Sequence, residues 1–130
     1  MTRKICVVTG SRADYGLLHP VILGISLDLE LELQLVVTGM HLSEEFGSTV
    51  AEIEADGFEI NYKVRTLAKS DSPEGIAKSI ANGIEGCANA FAQLKPDLVV
   101  VLGDRYEIFA AASAALVSRL PIAHLHGGEV

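Results

Sequence analysis

Apolar residues run in short bursts along this chain, and most bursts end on a glycine. Residues 4–8 form a β-branched run that stops at Thr9-Gly10. An unbroken apolar run of this length fits a strand buried on both faces. Residues 31–38 alternate Leu31, Leu33, Leu35 and Val37 with Glu32 and Gln34, then turn apolar throughout and close at Gly39. Residues 58–64 have the make-up of a third strand and 97–102 of a fourth, ending on Gly103. A fifth, residues 122–125, runs into His126-Gly127-Gly128-Glu129.

Between these runs the apolar period lengthens to that of a helix. Leu18, Val21, Ile22 and Ile25 share a helical face. Pro20 suits only a first helical turn, so this helix is expected to start near residues 16–19 or to bend there. Residues 43–55 place Phe46, Val50 and Ile53 on one side, with Gly57 as the stop. Ser72-Pro73-Glu74 is a strong helix start: a capping hydroxyl, proline at the first position and an acid at the positive end of the dipole. Ile76, Ile80, Ile84, Cys87, Phe91 and Leu94 then recur along one stripe until Pro96, and residues 108–117 make an Ala-rich helix. Strands alternating with helices predict an α/β fold, a Rossmann-like parallel sheet with helices on both faces and strand order 3-2-1-4-5.

With 130 residues, 49% of them hydrophobic and no Trp, the chain fits one domain, residues 1–130, whose core is built from Leu, Ile, Val and Ala. A net charge of −7 argues against a nucleic-acid partner. Cys6 and Cys87 fall at apolar-periodic positions and read as small buried hydrophobes, which suits a reducing cytoplasm. No apolar stretch resembles a signal peptide or reaches transmembrane length, so no membrane partner is expected. Val130 directly follows a glycine pair and an acid at a strand's carboxyl end, where such a domain builds its ligand site; the chain is expected to be truncated.

In open parallel sheets, ligands bind beyond the carboxyl ends of the strands where strand order reverses. Here that point lies between strands 1 and 4, followed by GSRADYG and GDRYE, with HLHGGE beside them. Arg12, Asp14, Asp104, Arg105, Glu107, His124, His126 and Glu129 therefore converge on one crevice. GSRADYG has neither the G-K-[ST] ending of a P-loop nor the spacing of a dinucleotide fingerprint, which excludes both readings. Arg12 either gives a diphosphate paired hydrogen bonds or simply pairs with Asp14. Asp104 is either a helix cap, boxed with Glu107, or a rigid carboxylate for acid–base work. His124 and His126 point to one face of a strand near Glu129. With no third firm ligand fixed, no metal is assigned, and acid–base or orienting roles stand as the alternative. His41 also lies at the carboxyl edge, where a surface or packing role is the other reading.

The segments V-T-G-S-R-A-D-Y-G, V-V-T-G-M-H-L, L-G-D-R-Y-E and H-L-H-G-G-E occur in an order and spacing that resembles the hydrolysing UDP-N-acetylglucosamine 2-epimerases of the sialic-acid-pathway type. The likeness covers essentially the whole chain. It implies the first half of a two-domain GT-B-like fold, with nucleotide and active site between the halves. It also implies loss of the C2 proton, elimination of UDP to a 2-acetamidoglycal, and hydration to N-acetylmannosamine. No metal, nicotinamide or other cofactor is implied, and a homodimer is expected of the complete protein.

On this resemblance Arg12 matches a diphosphate-contacting arginine, Asp104 a catalytic aspartate and Glu129 the acid closing G-G-E. Candidate catalytic residues are thus Asp104, His126 and Glu129; candidate substrate-binding residues are Arg12, Asp14, Gly103, Arg105 and His41. Two positions depart from the pattern. Many relatives carry an acid–base glutamate where this chain has His126, so His126, Glu129 or Glu107 takes that role, or the substrate differs. Enzymes acting on a diacetamido-trideoxyhexose nucleotide are the natural comparison. Leu17 stands where some relatives carry lysine. The second, nucleotide-binding domain of the family lies beyond this sequence, so turnover by these residues alone is not expected. The competing readings are a GT-B glycosyltransferase and a non-catalytic nucleotide-sugar-binding module.

Overall fold

A computed structural model describes residues 2–40, 44–66, 72–103 and 105–125. Five strands and four helices alternate: β1 (Arg3–Thr9), α1 (Arg12–Leu27), β2 (Leu31–Met40), α2 (Glu44–Ala55), β3 (Tyr62–Thr66), α3 (Pro73–Leu94), β4 (Leu98–Leu102), α4 (Tyr106–Val117) and β5 (Ile122–Leu125). The strands form one parallel sheet in the expected order β3-β2-β1-β4-β5.

Side chains alternate across each strand, so the sheet feeds two cores. Ile5, Val7, Leu35, Val37, Val100 and Leu102 pack against Tyr15, Leu18 and Ile22 of α1 and Ile53 of α2. Cys6, Val8, Val36, Val64, Val99 and Val101 pack against Cys87 and Phe91 of α3 and the alanines of α4. Helices therefore cover both faces, and the faces exchange where β4 returns to the other side of β1. Among the described residues, no helix is long and apolar enough to cross a membrane.

Three elements differ from the expectation. Helix α1 starts at Arg12, well before Pro20, because the buried Ser11 hydroxyl accepts the Asp14 N–H at 3.1 Å and caps it there. Pro20 is tolerated inside the helix because it and Gly16, whose carbonyl loses a donor, both face solvent. Strand β3 begins at Tyr62 rather than residue 58. The Phe58 N–H closes the α2 turn onto Ile53, and Asn61 accepts the Leu35 N–H at 2.8 Å. Phe58 and Ile60 are spent on packing against the α1–α2 core instead of on the ladder. In α3 the deepest residues include Ser79, Gly83 and Ala90, while Ile76, Ile80 and Ile84 are only half-buried. Small residues let this helix sit close: a Cβ on Gly83 would lie 3.0 Å from that of Ala110, and one on Gly86 would lie 2.5 Å from Val64 Cγ1.

The entry to β4 is tied to the sheet's centre. Lys95 ends α3 in the left-handed region at φ 49°. Asp97 then brackets Lys4, its carboxylate accepting the Lys4 N–H at 2.7 Å and its own N–H donating to the Lys4 carbonyl at 2.8 Å.

Both cysteines are free and buried, as their apolar-periodic positions predicted. Burial pushes each thiol up to about 12 from an ordinary 9.0, with Cys6 raised further by its proximity to Cys87. A raised acid group contributes stability that is complete below its unfolded value and is lost as pH rises above it. Unfolding free energy is expected to fall by about 1.4 kcal/mol per thiol between pH 8 and pH 10. Urea titrations at the two pH values should show this fall, and Cys87→Ala should remove roughly half of it. An equal fall in the variant would contradict the assignment.

Candidate active site

Two turns meet above the carboxyl ends of β1 and β4, beside the end of β5. The first, Gly10-Ser11, leaves β1 with the Thr9 hydroxyl donating to the Ser11 carbonyl at 3.2 Å. Gly10 is needed for a close approach: a Cβ there would lie 3.2 Å from Glu107 Cβ and 3.7 Å from Asp14 Oδ2. The first turn of α1 and the first turn of α4 thus both abut this residue, across the point where strand order reverses. Asp14 Oδ2 and Glu107 Oε2 are each shielded from solvent. The Glu107 side chain is only 9% exposed and meets Arg105 Nε at 3.5 Å.

Gly103 makes the second turn at φ +81°, a conformation that favours glycine. Its N–H donates to the Leu125 carbonyl at 2.9 Å. The His124 Nε2–H donates to its carbonyl. Both polar groups of Gly103 are therefore engaged by β5, and what it brings to the site is the turn itself. His124 thereby fixes the Gly103 carbonyl. Beside it, Gly103, Ile108, Phe109, Ala112 and His124 line an apolar hollow of about 140 Å³.

Helix α4 is capped at Arg105, with no side-chain capping bond, so the cap falls one residue later than the Asp104–Glu107 box would need. Asp104, His126, Glu129 and His41 lie outside the described residues. Arg12, Asp14, Gly103 and Arg105 are described. The structure brings Asp14 to Gly10 alongside Glu107, and it pairs Arg105 with Glu107. Arg12 does not simply turn to Asp14: its Nε meets Glu52 Oε2 of α2 at 3.1 Å.

Sequence reasoning missed what lies behind Arg12. The Tyr15 hydroxyl donates to Asp56 Oδ2 at 2.5 Å, and His19 Nε2 stands 3.8 Å from the same oxygen. The His19 ring packs edge-on against Tyr15 and Phe58. Burial of the ring, then the hydrogen bond and negative charge of Asp56, then the charge of Glu52, hold the Tyr15 phenol well above its ordinary range. The only trace in the sequence is the spacing: 12, 15 and 19 on one helix, 52 on another with 56 just past its end, neighbours in each set three or four residues apart.

The chain as a whole has known relatives. A family model described as UDP-N-acetylglucosamine 2-epimerase matches residues 25–130. The chain is 44% identical to the GDP/UDP-N,N'-diacetylbacillosamine 2-epimerase (hydrolyzing) of Campylobacter jejuni, over 98% of this chain and 33% of that protein. It is 43% identical to the UDP-N,N'-diacetylbacillosamine 2-epimerase (hydrolyzing) of Legionella pneumophila, over 99% of this chain and 34% of that protein. The crystal structure of UDP-GlcNAc 2-epimerase from Neisseria meningitidis bound to UDP-GlcNAc superposes with a TM-score of 0.80 at 25% identity, over 97% of this chain and 33% of that one. The chain thus spans about a third of the length of the relatives it matches. Its sheet order, its glycine turns at the β1 and β4 ends and a family match over most of its length agree, and the chain belongs to the UDP-N-acetylglucosamine 2-epimerase family.

Proposed function

We propose that these residues form the amino-terminal catalytic part of a hydrolysing 2-epimerase acting on a UDP-activated N-acetylhexosamine. The observation that carries this reading is the meeting of the β1 and β4 turns at Gly10. It sets Arg12, Asp14, Glu107 and Arg105 around the carboxyl edge of the sheet's switch point. The Neisseria structure, whose ligand is UDP-GlcNAc, and the hydrolysing relatives supply the substrate class.

In this reading a carboxylate, Asp104, lies by the sugar, with His126 and Glu129 sharing the acid–base work. Base-assisted loss of the C2 proton sends its electron pair into a C1=C2 bond as the C1–O bond to UDP breaks. Water then returns a proton to the opposite face of C2 and a hydroxyl to C1, releasing the 2-epimeric sugar. Arg12 grips the diphosphate through charge-assisted hydrogen bonds, in the bound substrate and in the departing UDP alike. Asp14, Arg105 and His41 line the approach, and Gly103 sets the turn. The chemistry calls for no metal or nicotinamide. A cytoplasmic homodimer is the form we expect of the complete protein.

His126 in the place of the more common glutamate, together with the two diacetylbacillosamine epimerases, favours UDP-N,N'-diacetylbacillosamine over UDP-N-acetylglucosamine. The complete protein should be offered each in D2O. UDP release, with deuterium at C2 of a free 2-epimerised sugar by NMR, is the expected result. Sugar transfer to an acceptor without deuterium would show a glycosyltransferase, and binding without turnover a non-catalytic module.

A further inference from the structure

Helices α1 and α2 lie on the same face of the sheet, joined by two polar rungs one helical turn apart. The inner rung is Tyr15 to Asp56, next to the fully buried Ile53. The outer rung is Arg12 to Glu52, at the end nearer the strand tips, with side chains 67% and 39% exposed. So exposed an ion pair contributes little to stability. What it does is geometric. Glu52 takes the Nε edge of the guanidinium and thereby sets the plane of an otherwise flexible side chain, while phosphate recognition by arginine uses paired donors in a fixed fork.

We propose that Glu52 is a positioning residue for Arg12, orienting its guanidinium toward the diphosphate of the nucleotide sugar; this rests on the function proposed above. Because the fork has two edges, the Nε contact and a terminal pair of Nη donors can be engaged together. Glu52 therefore aligns Arg12 and does not compete with the ligand. The inner rung, one turn further along α1, ties the same two helices together and serves stability rather than the aim of Arg12.

The test uses the complete enzyme and compares Arg12→Ala, Glu52→Gln, Glu52→Asp, Tyr15→Phe and the double variant Arg12→Ala/Glu52→Gln. Glu52→Gln should raise KM about three- to tenfold, with kcat within about twofold and melting temperature nearly unchanged. Glu52→Asp should recover part of the loss. In the Arg12→Ala background, Glu52→Gln should add nothing, since it acts only through that arginine. Tyr15→Phe should lower the melting temperature and leave KM in place. The proposal is overturned if Glu52→Gln leaves KM unchanged or lowers it while Arg12→Ala raises it, if the two effects add, or if Tyr15→Phe raises KM equally. An Arg12→Ala enzyme with wild-type KM would overturn it differently, by removing the diphosphate role of Arg12 itself.

Discussion

Replacing Asp104 with Asn in the complete enzyme is expected to lower turnover by roughly 10²- to 10⁴-fold, the span of a positioned general acid or base. The amide keeps the size of the carboxylate and removes its proton affinity, so binding of UDP should persist while C2 exchange disappears. The setting supports a role that depends on position. Gly103 leaves β4 at φ +81°, with its N–H given to Leu125 and its carbonyl taken by His124. The Gly103 end of β4 is thus held from β5. Single-turnover UDP release and deuterium uptake at C2 are the measurements. An Asn variant within about threefold of wild type would end the assignment of Asp104 as the catalytic carboxylate.

The largest contrast in stability is expected between two glycine-to-alanine changes in helices. Gly86→Ala places a methyl 2.5 Å from Val64 Cγ1, and Val64 is a stiff, β-branched, fully enclosed side chain of β3. Overpacking of this kind costs about 1–3 kcal/mol, against a gain of up to about 1 kcal/mol in helix propensity. The net loss should be about 1–2 kcal/mol. Gly24 is exposed in α1 with nothing within 4 Å of a new Cβ, so Gly24→Ala should stabilise by about 0.5–1 kcal/mol. Urea midpoints of the two variants should move in opposite directions. A neutral Gly86→Ala would mean that α3 can back away from the sheet.

These predictions separate what the sequence made legible from what it hid. Strand order and helix placement followed from period changes and glycine stops, signals that sit within a few residues of each other. The α3 cap at Ser72-Pro73 was readable for the same reason, and the structure has the Ser72 hydroxyl accepting the Gly75 N–H at 3.1 Å. The buried seam of α3 was less legible, because a periodic stripe of isoleucines outweighs Gly83 and Ala90 on any hydrophobic scale, while close packing prefers the small residues. Pro20 misled because solvation of the Gly16 carbonyl is a property of the folded surface. In the site, the strand ends announced Arg12, Asp14, Gly103 and Arg105. The link from Arg12 to Glu52 did not show, since it depends on the relative register of two helices whose paired residues are 40 positions apart. The proposed roles of Asp104, His126, Glu129 and His41 rest on their motifs.

One consequence of the strand order concerns time during synthesis. β1 takes β2 as one neighbour and β4 as the other, and the bonds that join Lys4 to Asp97 span 93 positions. At a ribosomal pace of roughly 5–20 residues per second, β1 is made some 5–20 s before its second partner exists. During that interval Ile5, Val7 and Val8 have an open, hydrogen-bond-hungry flank, and Cys6 and Val36 await the helix that will roof them. The nascent chain is thus most exposed to strand-pairing with its neighbours on a polysome, or to capture by a chaperone, in the window that closes as residues 98–102 emerge.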